Sequence, residues 1–130
     1  IREELESAGS AILYHEGLRA GKEAFKQLIK YVKNRSYVEV LRFSALIWRS
    51  LGFGLISFPE FNVDKGYVRV RIQNNFECRL FKGSTEPQSH FTRGLIAGWL
   101  EEFLNCRLTS KEVKCIAVGD PYCEIVFRKT

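Results

Sequence analysis

Residues 94–127 read GLIAGWLEEFLNCRLTSKEVKCIAVGDPYCEIVF, and this stretch decides the fold. It begins with the pattern of a helix and ends as two strands joined by a turn at residues 118–121. Three of its side chains belong to types that bind metals in proteins, namely Glu112, Cys115 and Cys123. Residues on either side of a hairpin turn face each other, so we expect both thiols on one rung of the ladder. Such a pair can bind a metal, form a disulfide or pack in a core.

The composition is that of one folded unit. The chain has 130 residues, of which 45% are hydrophobic, and we expect residues 1–130 to form a single domain with one core. Its apolar runs are too short to span a bilayer and no signal segment opens the sequence, so we expect a soluble, cytoplasmic protein. Four cysteines are too few for a disulfide framework in such a domain, which favours reduced thiols or metal ligands.

The net charge of +5 does not by itself indicate a nucleic-acid partner. The 20 basic residues are scattered along the chain among 15 acidic ones. The densest basic run is Lys22, Lys26, Lys30 and Lys33, which helical spacing places on one solvated helix face. We therefore expect no direct nucleic-acid binding by this domain.

Apolar periodicity and turn residues predict the order of the elements. Ser36 with Glu39 has the spacing of a capping box, which predicts a helix that ends at Leu51. The other predicted segments are helices over residues 2–33 with a break near Gly17, strands over 54–58 and 66–73, extended chain over 74–81, a helix over 89–105, and strands over 108–117 and 122–128. This order predicts an α+β fold, in which amino-terminal helices pack on an antiparallel sheet and one helix is inserted before the carboxy-terminal hairpin.

Two glycine pairs lie within predicted helices, Gly17 with Gly21 and Gly94 with Gly98. Glycine inside a helix costs about 1 kcal/mol relative to alanine, so paired glycines at helical spacing indicate close approach of another backbone. Close packing between helices is one interpretation, and such packing can also form the interface of a dimer.

The candidate metal ligands need a fourth member and a local irregularity. Strict alternation would place Glu112 and Cys115 on opposite faces of a strand, so a shared site requires a bulge or a strand start near Val113. His90, at the start of the fourth predicted helix, is the candidate for the fourth ligand. Cys78 and Cys106 are interpreted as core residues. A redox pair of Cys115 and Cys123 remains an alternative to metal.

Several segments of the chain carry a family resemblance. They are residues 12–21 (ILYHEGLRAG), 52–54 (GFG), 68–70 (VRV), 94–98 (GLIAG) and 112–123 (EVKCIAVGDPYC). In these the sequence resembles the 4-vinyl-reductase domain, a small-molecule-binding module related in fold to heme-dependent nitric-oxide sensors and to TRAPP-type tethering subunits.

The resemblance implies a zinc site. In sensors of phenol and xylene that carry this domain, a glutamate and two cysteines of the hairpin hold zinc with a further cysteine before the inserted helix. Glu112, Cys115 and Cys123 match three of those positions, whereas the fourth falls on Ser89, which is a poor zinc ligand. His90 stands beside Ser89 and can replace the lost thiolate, so structural zinc is the expected cofactor.

The resemblance also implies an apolar pocket between helices and sheet. The residues expected to line it are aromatic, namely Trp48, Phe53, Phe58, Phe91 and Trp99. We therefore expect a non-enzymatic sensory domain for an aromatic or lipid-like molecule, homodimeric through its amino-terminal helices and attached to a transcription regulator. The alternatives are a thiol-based redox-sensing domain of such a regulator, and a reductase or accessory protein of tetrapyrrole and pigment biosynthesis. No cofactor loop supports the last of these.

Overall fold

The computed structural model describes residues 2–130, with side chains from residue 7 onward. Four α-helices, four strands and one short 3-10 helix make up the described chain. In chain order they are α1 (Arg2–Val32), α2 (Tyr37–Ser50), β1 (Leu55–Asn62), β2 (Tyr67–Gln73), α3 (Phe76–Arg79), α4 (His90–Leu104), β3 (Leu108–Lys114), the 3-10 helix (Ile116–Val118) and β4 (Cys123–Lys129).

The four strands form one antiparallel sheet in the order β1-β2-β4-β3. Alternate residues of the central strands, such as Val68 and Val70 on β2 and Ile125 and Phe127 on β4, are fully buried in the core with residues of α1, α2 and α4. The helices therefore cover one face of the sheet. This arrangement confirms the predicted α+β fold with one helix inserted before the last two strands.

The first helix is continuous, so the predicted break near Gly17 is wrong. Helix α1 runs unbroken to Val32 because its two glycines lie against α4, which supports it through the segment where a surface helix would be weak. The two glycine pairs face each other, since Gly17 lies against Gly94 and Gly21 lies against Leu95 and Trp99. The interpretation as close helix–helix packing is confirmed within the chain.

The second helix begins and ends as its sequence predicts. Ser36 is the N-cap, and its side chain accepts a hydrogen bond of 3.2 Å from the backbone N–H of Glu39. Leu51 is the C-cap and Gly52 follows with φ of 88°, a backbone conformation that favours glycine. This helix carries Trp48 into the core.

The expectation of extended chain over residues 74–81 is wrong. Asn74 has φ of 56° and turns the chain out of the sheet, and Asn75 then caps α3 by accepting a hydrogen bond of 3.1 Å from Glu77 N–H. Both asparagines are residue types that tolerate turn conformations, which is why the strand pattern stops here. The resulting short helix presents Glu77 and Cys78 to the start of α4.

The carboxy-terminal strands differ from the prediction on one side of the turn. Strand β3 ends at Lys114, not at residue 117, because Cys115 precedes a 3-10 helix that ends at Gly119 with φ of 103°. The register of β3 on β4 shifts between Glu112 and Lys114, which confirms the bulge predicted near Val113. Glu112 and Cys115 can therefore reach one site.

The lysine stripe on α1 is partly engaged within the chain. Lys22 Nζ lies 3.2 Å from a carboxylate oxygen of Glu101, and Lys26 Nζ lies 3.9 Å from one of Glu102. Both pairs join α1 to α4, where exposed ion pairs contribute a fraction of a kcal/mol, about 0.5 kcal/mol each. Among the described helices, none combines the length and apolar character needed to cross a membrane.

Candidate functional site

Four side chains from four segments converge at one end of the sheet. They are Cys78 of α3, Glu112 of β3, Cys115 between β3 and the 3-10 helix, and Cys123 at the start of β4. One ligand-capable atom from each lies within 4.8 Å of those of the other three. We call these four residues the thiol–carboxylate cluster.

Cys78 is the member of the cluster that the sequence analysis assigned to the core alone. Its Sγ lies 3.3 Å from Cys115 Sγ, and its side chain is fully buried. No local spacing links position 78 to the hairpin, because α3 and the hairpin are 37 residues apart and meet only in the fold. Burial, which supported the core interpretation, is equally a property of enclosed structural metal sites.

Ser89 supports the cluster from the start of α4. Its Oγ lies 2.8 Å from Cys78 Sγ and accepts a hydrogen bond of 3.0 Å from the Asn75 side chain. Its backbone N–H donates to Glu112 Oε1 at 3.1 Å. Ser89 is thus bonded to two cluster members, and its hydroxyl is engaged with the thiol of Cys78.

His90 is not among the side chains that converge on this cluster. It lies on the first turn of α4, at a surface cavity of about 490 Å³ that Tyr14, Arg93 and Ser110 also line. Burial lowers the pKa of its imidazole, against the opposing effect of nearby Glu77. The three hairpin residues of the predicted ligand set are therefore brought together, with Cys78 beside them.

The thiols of the cluster divide into one anionic and two protonated sulfurs. Hydrogen bonding with Cys123 and Cys78 holds the pKa of Cys115 far below its usual range, aided by Gln88 N–H at 3.4 Å. Hydrogen bonding with Cys115 raises the pKa of Cys78 and of Cys123. A buried thiolate is therefore already favoured at Cys115, the state that a metal ion requires.

Glu112 carries a carboxylate that is only half satisfied. Burial raises its pKa to about 7, and Oε1 accepts the hydrogen bond from Ser89 N–H. Its buried Oε2 has no hydrogen-bond partner among the described residues. A buried carboxylate oxygen without a donor beside three thiols suits a cation, and three sulfurs with one carboxylate are a ligand set that tetrahedral zinc accepts.

A second carboxylate, from Glu77, caps α4. Its two oxygens accept hydrogen bonds of 2.9 Å from the backbone N–H groups of Phe91 and Thr92. Ser89 holds the N-cap position but makes no side-chain capping bond there, since its hydroxyl is engaged with Cys78 and Asn75. Sequence analysis missed this cap because Glu77 lies more than a helix turn away in the chain.

Replacing Glu77 with alanine should lower the free energy of unfolding by about 1–2 kcal/mol, the usual cost of losing a cap. Thermal or urea denaturation measures this difference. Glu86→Ala, which removes a carboxylate from the exposed loop before α4 without uncapping a helix, is the matched control and should change stability by less than about 0.5 kcal/mol. Equal losses in the two variants would contradict the capping role.

The five aromatic residues predicted to line a pocket form two groups in the interior. The rings of Trp48 and Trp99 lie 5.1 Å apart and that of Phe58 lies 6.1 Å from Trp48. Phe53 and Phe91 are stacked 6.3 Å apart. These residues come from α2, the turn after it, β1 and α4, and we call them the aromatic cluster. Neither of the two surface cavities, of about 630 and 490 Å³, is lined by any of them.

The two tryptophans of the aromatic cluster differ in their polar contacts. Trp99 Nε1 donates to Ser44 Oγ at 2.8 Å, whereas buried Trp48 Nε1 has no acceptor among the described residues. An unpaired buried donor costs about 1–3 kcal/mol. One unsatisfied indole N–H therefore lies inside an otherwise apolar region.

Two uncharacterized proteins of Methanocaldococcus jannaschii are related to this chain in sequence. One is 41% identical over 76 residues, which are 56% of this chain and 33% of the relative. The other is 27% identical over 118 residues, which are 91% of this chain and 64% of the relative. The chain thus spans between a third and two thirds of the length of these relatives.

Three solved structures share the fold. The phenol-responsive sensory domain of the transcription activator PoxR, determined with phenol, superimposes with a TM-score of 0.82 at 14% identity, over 92% of this chain and 64% of that one. A vinyl-4-reductase family protein of M. jannaschii gives 0.66 at 21% identity, over 91% and 68%. A trafficking protein particle complex subunit 3 of Naegleria fowleri, covalently bound to palmitic acid, gives 0.64 at 17% identity, over 95% and 81%.

The matched region coincides with the cluster-bearing part of the fold. The family model of the vinyl-4-reductase domain matches residues 68–129, which include α3, α4, β3 and β4, most of β2 and all four members of the thiol–carboxylate cluster. The structural similarities cover more than nine tenths of the chain and include a vinyl-4-reductase family protein. Residues 68–129 therefore belong to the vinyl-4-reductase (4-vinyl-reductase) domain family, as the resemblance in the sequence had indicated.

Proposed function

We propose that this chain is a sensory domain that binds a hydrophobic small molecule in the aromatic cluster. The observation that carries the proposal is the unpaired N–H of Trp48, which lies among Phe58 and Trp99 in the interior between α2, β1 and α4. An apolar molecule with one hydrogen-bond acceptor would satisfy this donor while its rings or chain contact the aromatic side chains. The phenol in the structure of the PoxR domain, which has a similar fold, supports this class of ligand.

Titration of the purified protein with phenol and with toluene tests this function, followed by tryptophan fluorescence. Native mass spectrometry of the same preparation would detect an apolar molecule carried over from expression. Because the two probes have similar size and only phenol has an oxygen acceptor, phenol should bind about fivefold more tightly, the value of one hydrogen bond. No binding of either probe, with no carried-over molecule, would overturn the proposal.

Two tryptophan variants provide the matched comparison. Trp48→Phe should bind toluene and phenol equally, because the indole donor is gone and the ring remains. Trp99→Phe removes an indole whose N–H is already bonded to Ser44, so it should keep the preference for phenol. Loss of the preference in Trp99→Phe alone would assign the donor to the wrong residue.

The thiol–carboxylate cluster is proposed to hold a structural zinc ion. Cys78, Cys115, Cys123 and Glu112 would be its ligands, and zinc would join α3 to the hairpin. This ligand set uses a thiol where the sequence analysis proposed His90. Elemental analysis should find one zinc per chain in the wild type and in His90→Ala, and much less in Cys78→Ser. The reverse result would restore the imidazole as the ligand.

Thiol-based redox sensing is a second candidate, favoured by the 3.3 Å separation of Cys78 Sγ and Cys115 Sγ. With a peroxide as oxidant, the Cys115 thiolate would attack one peroxide oxygen to form a sulfenic acid and release water. Cys78 would then displace the second water, so two thiols are oxidised as the peroxide is reduced. The Cys115–Cys123 pair expected from the hairpin is the competing disulfide.

Peptide mapping of the metal-free protein after treatment with hydrogen peroxide distinguishes these outcomes. A peptide pair joined through Cys78 and Cys115 is the expected product, while Cys106 remains free. Reduction with dithiothreitol should restore four free thiols. If all four thiols remain free after peroxide, redox sensing by this cluster is excluded.

A further inference from the structure

The sheet has a second face that the helices do not cover. Residues that are paired across neighbouring strands lie on the same face, so the strand register identifies every side chain on it. Tyr67, paired with Arg128, and Arg71, paired with Glu124, lie opposite to the core-facing Val68, Val70 and Ile72. We call this the outer face.

The outer face carries an excess of positive charge. Seven ionisable side chains other than tyrosine lie on it according to the strand register, and five of them are cations. They are Arg69, Arg71, Lys111, Lys114 and Arg128, with Glu60 and Glu124 as the acids.

The two acids are already engaged by arginines. Glu124 is 3% exposed and lies 3.2 Å from Arg69 Nη1 and 3.8 Å from Arg71 Nη2. Glu60 accepts a hydrogen bond of 3.0 Å from Arg69 Nε. Arg71 Nε has no hydrogen-bond partner among the described residues. The charge that faces solvent is therefore mainly that of Arg71, Lys111, Lys114 and Arg128.

Aromatic rings hold several of these cations in place. The guanidinium of Arg71 lies 4.4 Å and the ammonium of Lys114 lies 4.9 Å from the centre of the Tyr122 ring. Arg128 lies 4.8 Å from the centre of the Tyr67 ring. Lys114 Nζ also donates to the Tyr122 hydroxyl at 3.1 Å. These contacts hold the charges in a flat array.

We propose that the outer face binds the phosphate backbone of a single-stranded nucleic acid. A flat array of cations with few free acids complements a polyanion, and aromatic residues among basic ones are typical of surfaces that bind single strands. This inference differs from the expectation drawn from composition, which could not see that strand register gathers five scattered cations on one surface. It is independent of the small-molecule site, which lies on the other side of the sheet.

The shape and charge of the face argue against two other occupants. Strands are spaced about 4.8 Å apart, so four strands span about 14 Å, which is wider than the major groove of about 12 Å that a helix or a two-stranded ribbon enters. A second copy of this chain would place the same cations against each other. Single strands, in contrast, can follow a flat surface.

Fluorescence anisotropy with labelled single-stranded oligouridylate and oligothymidylate tests the proposal. Contact with three or four phosphates predicts that the logarithm of the binding constant falls with the logarithm of salt concentration with a slope of about −2 to −3. The double variant Lys111→Gln/Arg128→Gln should bind about tenfold more weakly and reduce the slope by about 1. Both residues are exposed, so the fold should persist.

The control removes the same charge elsewhere. Lys33→Gln/Arg42→Gln changes two exposed cations on the helical side of the molecule and should leave binding within about twofold. Three results would overturn the proposal: equal weakening by the control, no binding at low salt, or binding of a duplex, a polyglutamate peptide or phosphatidylserine vesicles as tight as that of the single strands. Circular dichroism of both variants checks that the fold is retained.

Discussion

Gly21→Ala should unfold this protein or destabilise it by about 3 kcal/mol or more, the upper range for overpacking a core. A methyl group at Gly21 would overlap the carbonyl oxygen of Leu95 and would lie 2.9 Å from the backbone nitrogen of Trp99. Both obstacles are backbone atoms, so no rotation of a side chain relieves the overlap. Helices α1 and α4 would have to move apart and lose the packing of Phe25 on Trp99.

Gly9→Ala is the matched control in the same helix. Nothing lies within 4 Å of a methyl group placed there, so the variant should be as stable as the wild type or more stable by up to about 1 kcal/mol through helix propensity. Urea denaturation followed by circular dichroism gives both free energies. If Gly21→Ala were as stable as Gly9→Ala, the close contact between α1 and α4 would be wrong.

Removal of zinc from the proposed site should lower the melting temperature by more than about 10 °C, since a ligand present at a thousand times its dissociation constant adds about 4 kcal/mol. The cause is that metal bonds would join α3, the bulge of β3 and the hairpin, segments otherwise linked here by few hydrogen bonds. One of these is Gly83 N–H to Ala117 C=O at 2.9 Å. Calorimetry with and without a chelator measures the shift.

The location of the effect is as informative as its size. Hydrogen exchange should show α3 and residues 80–88 losing protection first after chelation, while the α1–α4 contact stays protected. Cys115→Ser should reproduce the loss, whereas Cys106→Ser, outside the cluster, should melt with the wild type. An unchanged melting temperature after chelation, together with no bound metal, would remove the structural zinc from the proposal.

The sequence predicted much of the architecture because local signals and the fold agree there. Ser36 and Glu39 mark the start of α2, and the alternating pattern of residues 67–72 marks a strand with one buried face. The need for a bulge near Val113 also followed from the sequence, since only a break in alternation brings Glu112 and Cys115 to one site. Each of these predictions depends on residues that are close in the chain.

The failures occur where distant contacts outweigh local preference. A glycine pair predicts a weak helix, yet α1 is continuous because α4 supports it at Gly17 and Gly21. The polar residues after β2 gave no helix signal, yet α3 forms a single turn there that is bonded to α4 through Glu77. Neither contact has a signature in the local sequence.

The same distinction applies to the candidate sites. The sequence by itself determined the hairpin, three members of the thiol–carboxylate cluster and the aromatic residues of the interior, because their types and spacing are local properties. Only the tertiary structure decided that Cys78 joins the cluster and that the outer face gathers its cations. The physical reason is that a metal site and a charged surface depend on distances between segments, and those distances are set by how helices and strands pack.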